Sequence, residues 1–310
     1  MTTSNGYPTA AGVEQAIKEA ARAAVKANPG SQVSDLIRQT YFDRFLSRVF
    51  SEGPYSEWVL KGGTGLLARV ANARKTLDVD LFRNGYCLEA VIADLRRLAS
   101  IDLGDHFRFE FIDLSNIIAP DRQSDTHGCQ VRFEVYLGAK KVDMIRIDLV
   151  TSTTPIEHAP TIEPANRLWL PRLASFPYRV YPVAAQVADK VAATLELHDG
   201  RPSSREKDLV DLVTIAKTQA VDGVGLRRAL TDELARRGIE IPNTFRVPSN
   251  WGIRYRKLAN SVPYCADHQT VKQGEALVRA LIDPVLGDDV RGETWDPEKL
   301  GWHRFLPGNL

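Results

Sequence analysis

Two carboxylates two residues apart, Asp78 and Asp80 in the run KTLDVDLF (Lys75 to Phe82), have the spacing in this chain best suited to chemistry. Leu77 to Phe82 reads as a short strand. Strand side chains alternate, so Asp78 and Asp80 face one side while Leu77, Val79 and Leu81 face a core. Side-by-side carboxylates repel unless something positive neutralises them, and a divalent cation is the usual answer. Upstream, the apolar Trp58, Val59 and Leu60 lead into a turn at Gly62, Gly63 and Thr64. Without Cβ atoms in the way, backbone N–H groups and the Thr64 hydroxyl can face an anion there. No G-x-x-x-x-G-K-[ST] pattern is present, so this is not a Walker phosphate loop. Taken singly, a D-x-D is more often a solvated strand and a Gly-Gly-Thr only a turn. In this order they point to nucleotidyl transfer, with metal on the strand and phosphate at the turn.

A third carboxylate, Asp148, closes the apolar strand Met144 to Val150 between Ile147 and Leu149. It can take a proton from an attacking hydroxyl or complete a two-metal clamp, or it is an edge-strand Asp in water. By parity Asp143 lies on the other face and is the weaker candidate. Further on, Lys190 sits in a largely apolar helix, YPVAAQVADKVAATLE. In REKDLVDL, Asp208 and Asp211 share a helix face at i, i+3 behind Arg205, with Leu209, Leu212 and Val213 as the packing stripe. A lysine among Ala and Val either meets a nucleotide phosphate or pairs with Asp208 or Asp211 across two helices. Both readings stand at this point.

The elements that must position these groups follow from periodicity. Ala10 to Ala27, Leu36 to Phe50 and Leu88 to Ala99 read as helices. The second is expected to pack on the sheet, although Arg38, Arg44 and Arg48 also allow a basic helix laid on nucleic acid. Alternation predicts strands over His106 to Leu114, Gln130 to Leu137 and Val142 to Val150, the last two forming a hairpin around Gly138 and Ala139. A polar loop is expected at 119–128. The Pro- and Thr-rich stretch 151–182 reads as a linker, so the domains are drawn as 1–155 and 156–310. The second half is mainly helical, over 183–197, 205–216, 224–237 and 271–286. Its tail, with Trp295, Trp302 and Phe305, is expected to pack as irregular structure.

At 310 residues and 44% hydrophobic, the chain can bury the cores of two domains. A net charge of +1 gives no global field for nucleic acid. Locally, 201–260 holds twelve Lys and Arg against seven Asp and Glu, while 87–125 holds four against eight. A solvated helical face accounts for the first imbalance, and a groove for a polyanionic acceptor is the sharper reading. Cys87, Cys129 and Cys265 are scattered, which argues against structural zinc and a disulfide framework and fits a reducing, cytoplasmic setting. No signal peptide and no membrane span are read.

The order KGGTGLLAR (Lys61 to Arg69), RKTLDVDLF (Arg74 to Phe82), YPVAAQVADK (Tyr181 to Lys190) and REKDLVDL (Arg205 to Leu212) resembles the AbiEii/AbiGii family, across roughly 35–220. These are nucleotidyltransferase toxins of type IV toxin–antitoxin systems, MenT-type members included. The resemblance implies an α/β (α+β) fold, a DNA polymerase β-like nucleotidyltransferase core with a mixed or antiparallel sheet, followed by a helical C-terminal domain closing the active-site cleft. It implies Mg²⁺ on Asp78 and Asp80 and triphosphate contacts from the turn at Gly62, Gly63 and Thr64 and from Lys190; Asp148, read from its own strand, would join them as third ligand or base. Arg205 and Asp208 join the nucleotide-binding set, and Asp211 matches an acidic position that the family needs for activity. MenT-type members add pyrimidine nucleotides to the 3′ end of tRNA, which stops its charging. Asp189 stands where many members have Glu, and Thr76 where Ser is common.

The expectation is therefore a cytoplasmic enzyme, partnered by a cognate antitoxin, that moves NMP from an NTP to tRNA with two Mg²⁺ and blocks aminoacylation and translation. Nucleotidylation of a protein side chain, and a module that only senses NTP, are the alternatives.

Overall fold

Strict apolar–polar alternation in the first half builds a sheet with one face turned inward, and amphipathic helices cover that face. The computed structural model describes residues 6–28, 30–85, 87–118, 126–152, 156 and 158–304. The chain divides into two compact units, Met1–Tyr181 and Pro182–Leu310.

The first unit holds α1 (Ala10–Ala27), α2 (Val33–Val49), β1 (Trp58–Leu60), α3 (Gly62–Arg69), β2 (Val79–Asn84), α4 (Leu88–Ala99), β3 (Phe107–Ile118), β4 (Thr126–Leu137), β5 (Lys140–Ser152), β6 (Thr161–Ile162) and β7 (Tyr178–Arg179). Five strands form one sheet in the order β1-β2-β5-β4-β3. Strands β2 and β5 run parallel and the other neighbours antiparallel, so the sheet is mixed. The β4–β5 hairpin turns at Gly138, whose φ of +62° suits a residue without Cβ. Val79, Leu81, Val131, Phe133, Ile145, Ile147 and Leu149 are buried on the inner face. Phe45 of α2 packs edge-on to Phe109 at 5.3 Å and lies 5.2 Å from Phe133.

The arginines of α2 settle its role. Arg44 and Arg48 are fully buried, and both reach Asp105: Arg44 Nε at 2.9 Å, Arg48 Nη2 at 2.7 Å. Burial would raise the Asp105 carboxyl, but the two guanidiniums outweigh it and hold the group below its usual range. These cations belong to the core of the unit, so the packed-helix reading holds.

Three sequence expectations change here. Leu77 is 58% exposed, and β2 starts at Val79. The Thr64 and Thr76 hydroxyls both donate to the Asp78 carbonyl, at 2.8 and 3.0 Å, drawing Leu77 and Asp78 into a bend before the strand. The Pro-rich stretch is not a free linker. Val180 bridges to Leu60, and Tyr181 N–H donates to the Leu60 carbonyl at 2.9 Å, so residues up to Tyr181 belong to the first unit. Of the loop expected at 119–128, residues 119–125 lie outside the described residues and Thr126 already begins β4.

The second unit holds α5 (Val183–Leu195), β8 (Leu197–His198), β9 (Arg201–Pro202), α6 (Glu206–Thr218), β10 (Val221–Asp222), α7 (Gly223–Arg236), α8 (Ile253–Ala259), α9 (Val271–Leu286), β11 (Thr294–Asp296) and β12 (Gly301–His303). Leu209, Val210, Leu212, Val213, Ile215 and Ala216 are all inaccessible, which makes α6 the buried centre of this unit. The third change is the tail. It pairs as a small sheet, β10-β11-β12, and Trp295 is buried with its indole N–H donating to the Ala216 carbonyl at 2.7 Å. Three-residue strands carry too little alternation to be read. Phe305 lies outside the described residues. Among the described residues no helix is long and apolar enough to cross a membrane.

Candidate active site

Parallel pairing of β2 with β5 sets Asp80 directly beside Asp148. Their strand neighbours Val79, Leu81, Ile147 and Leu149 all point into the core, so the two carboxylates project from the opposite face. Strand β5 lies between β2 and β4, so Asp148 is on a central strand and not on an edge. Register continues the row across the sheet to Gln130, whose amide N–H donates to Asp148 Oδ1 at 2.8 Å.

A second polar row runs beside the first. Arg146 Nε meets Asp78 Oδ1 at 2.8 Å, Arg132 stands opposite Arg146, and Arg132 Nε meets Asp113 Oδ1 at 2.5 Å. This row alternates its charges and satisfies itself. The first row sets two carboxylates side by side.

The turn before α3 is shaped by one of those carboxylates. Gly62 has a φ of +56°, and a Cβ on it would overlap the Asp80 carboxylate. Both constraints select glycine. Because α3 begins at Gly62, its N-terminal end, where a helix carries partial positive charge, lies against Asp80. Lys61 N–H donates to the Asp80 carbonyl at 2.9 Å, binding the turn to β2. A Cβ on Gly63 would sit 3.1 Å from Arg74 Nη2. Thr64 is buried, and its hydroxyl clamps α3 to the Asp78 carbonyl.

Lys61 was not singled out from sequence. Its ammonium lies 4.2 Å from the centre of the Tyr181 ring and 5.6 Å from that of Phe82, joining the first and third sequence motifs through a cation–π contact. Arg146 and Gln130 were also missed. The parity that marked Asp148 marks Arg146 as well, two residues earlier on the same face.

The second unit gathers the remaining candidates. Lys190 of α5 donates to Asp211 Oδ2 at 2.6 Å and Asp208 Oδ1 at 3.2 Å, and Arg205 Nε meets Asp208 Oδ2 at 2.5 Å. Lys190, Asp208 and Asp211 are buried. Burial would raise Asp208, yet Lys190 and Arg205 outweigh it and bring its pKa to about 2. The cross-helix pair left open from sequence is therefore present. Asp189 pairs with Arg237 at 2.6 Å. Thus Gly62, Gly63, Thr64, Asp78, Asp80 and Asp148 are together in one unit, and Lys190, Arg205, Asp208 and Asp211 in the other.

Among the described residues no group of three or more His, Cys, Asp or Glu side chains is arranged as a ready metal cage. Carboxylate oxygens are nonetheless the hard donors that Mg²⁺ takes. That ion is commonly held by one or two carboxylates, waters and substrate phosphates, so Asp78, Asp80 and Asp148 fit it by chemistry.

A family model described as "Nucleotidyl transferase AbiEii toxin, Type IV TA system" matches residues 44–305. Among solved structures, the chain is similar to the MenT4 nucleotidyltransferase toxin of Mycobacterium tuberculosis H37Rv, at 17% identity and TM-score 0.51, covering 82% of this chain and 84% of that one. It also matches JHP933 from Helicobacter pylori at 15% identity and TM-score 0.38, covering 86% and 87%. The first likeness bears on the fold alone. No curated protein matches.

Proposed function

This chain belongs to the AbiEii family of nucleotidyl transferase toxins of type IV toxin–antitoxin systems, and we propose that it transfers NMP from a pyrimidine NTP to the 3′ end of tRNA. Aminoacylation, and with it translation, would then be blocked. The observation that carries this reading is the pairing of Asp80 with Asp148 against the N-terminal end of α3, which offers cation and phosphate adjoining places.

Asp78, Asp80 and Asp148 would hold Mg²⁺, which supplies Lewis-acid polarisation of the phosphoryl oxygens when bound. The N–H groups of Gly62 and Gly63 receive triphosphate oxygens, with α3 favouring their charge. Thr64 acts through the Asp78 carbonyl, keeping the bend before β2 in shape. Asp148 takes the proton of the attacking 3′-hydroxyl, held in orientation by Gln130. The new bond joins that oxygen to the α-phosphorus, the α–β phosphoanhydride bond breaks, and pyrophosphate leaves. Within the second unit Asp208 and Asp211 fix the buried Lys190 ammonium, and Asp208 also holds Arg205.

The enzyme is expected to work in the cytoplasm and to be silenced by a cognate antitoxin. Each labelled NTP, incubated separately with the protein, Mg²⁺ and total tRNA, tests the reading. RNA should become labelled, most with a pyrimidine nucleotide, and Asp80→Ala should abolish the signal. Unlabelled RNA, or a signal indifferent to Asp80→Ala, would overturn it. Ribonuclease-resistant label on protein would indicate protein nucleotidylation. Growth arrest that survives loss of both Asp78 and Asp80 would indicate an NTP-sensing module.

A further inference from the structure

Between Glu240 and Asp267 the chain contains no carboxylate, and Arg246, Arg254, Arg256 and Lys257 are its four cations. All four are exposed, three of them on α8. None has an ion-pair partner among the described residues, as is also true of Arg201, Lys207 and Lys272 in the same unit; what sets this segment apart is its lack of any carboxylate. The carboxylates that do approach this segment are engaged by backbone N–H groups. Glu206 accepts from Gly252 and Tyr255 at 3.1 and 2.6 Å, Glu275 from Val247 at 3.1 Å, and Asp283 from Phe245 at 2.8 Å. The outer side of the segment is left positive.

The helix that displays these charges is held firmly. Seven residues are too few for a helix to persist alone. Glu206 caps its start, and the Trp251 indole donates to the Ser203 carbonyl at 2.7 Å. Tyr255 is fully buried, donates to the His268 carbonyl at 2.7 Å, and lies so close over Gly274 that a Cβ there would overlap its ring. Glycine at 274 therefore makes room for the anchor. Glu206 is the first residue of α6, so this basic face is fixed to the same helix end that carries Arg205 and Asp208.

We propose that the exposed face of α8, with Arg246, is the surface on which the phosphate backbone of the RNA acceptor docks. This rests on the reading of RNA as the acceptor. Guanidiniums take phosphate oxygens in pairs, and the anchored helix presents them from a fixed backbone. A protein partner is disfavoured because its interface needs an apolar or aromatic core. On α8 the large exposed apolar side chain is Ile253, 93% accessible, with cations beside it.

Fluorescence anisotropy with a fluorescein-labelled deacylated tRNA, across a salt series, tests the proposal on the full chain. Four phosphate contacts correspond to a slope of about −3 in log affinity against log salt. The triple variant R254E/R256E/K257E should weaken binding by at least about tenfold and flatten the slope by about two. The neutral R254Q/R256Q/K257Q should fall between it and the wild type, and R22E/K26E on the exposed side of α1 should match the wild type. In the transfer assay, KM for RNA should rise and KM for NTP stay constant. Wild type that labels RNA, with the triple variant unchanged in affinity, slope and KM, overturns this inference and leaves the acceptor reading intact. Wild type that neither binds nor labels RNA overturns the acceptor reading and this inference with it. Reversal variants that bind RNA normally but no longer bind the antitoxin reassign the face to a protein and overturn the inference.

Discussion

Asp80 on β2 and Asp148 on β5 occupy paired positions in a parallel strand pair, on the face away from the core. The arrangement places like charges next to each other, a repulsion that a bound cation would offset. Asp148→Asn keeps an acceptor for Gln130 and relieves that repulsion. Its unfolding free energy should stay within about 1 kcal/mol of wild type, while nucleotide transfer falls by about 10²–10⁴-fold. Denaturant titration and the labelled-NTP assay measure the two quantities. Unimpaired transfer would remove Asp148 from the site.

Gly62→Ala should be costly despite adding one methyl group. Its φ of +56° strains any residue with a Cβ, and that Cβ would displace the Asp80 carboxylate. A loss of about 1–3 kcal/mol is expected, read as a lower urea midpoint. Gly104→Ala makes the comparison, since its φ is +66° with open space around the Cβ position. Equal losses at the two sites would mean that the Asp80 contact contributes nothing.

Arg146 holds Asp78 at 2.8 Å, so a cation binding there competes with a guanidinium. Both side chains are about one third exposed, and such a pair contributes about 0.2–1 kcal/mol. Arg146→Gln should therefore tighten Mn²⁺ binding to the nucleotide-free protein by about 1.5–5-fold. KM for NTP should rise in the same variant, because a cation beside the phosphates is lost. Calorimetry with Mn²⁺ and steady-state kinetics read the two effects. Weaker Mn²⁺ binding would contradict the competition.

The Lys190–Asp208 contact predicts an acid-sensitive second unit. The Asp208 pKa is lowered from 3.8 to about 2, so its stabilisation is complete above the unfolded value and is lost as pH falls through the folded one. A shift of this size corresponds to about 2 kcal/mol. The stability gap between wild type and Asp208→Asn, measured by urea unfolding, should be constant from pH 7 to 5 and shrink between pH 4 and 2. A gap independent of pH would mean that the carboxylate is not held ionised by its neighbours.

What could be read from sequence was whatever a single element encodes. Period-two alternation gave the hairpin, and amphipathic stripes gave α1, α4 and α9 at their observed limits. The Asp78/Asp80 pair and the Lys190/Asp208/Asp211 set were visible for the same reason. Leu77 was misread because two threonine hydroxyls, remote and near, bend the chain at Asp78, and side chain–backbone bonds leave no periodic trace. The burial of Arg44 and Arg48 turned on Asp105, a partner distant in sequence. The Pro-rich stretch read as a linker because its pairing with Leu60 depends on backbone groups, which composition does not report. The adjacency of Asp80 and Asp148 follows from register alone, and register is tertiary.

The parallel pairing of β2 with β5 also imposes an order on synthesis. A growing chain exposes Asp80 well before β5 exists, and the intervening α4, β3 and β4 must be made first. Nascent or prematurely terminated chains ending before Lys140 carry the first carboxylate without its neighbour, and so lack the constellation that would make the product harmful. On the proposed role of Asp148, such fragments would transfer no nucleotide, and a completed sheet would be a precondition of the hazard.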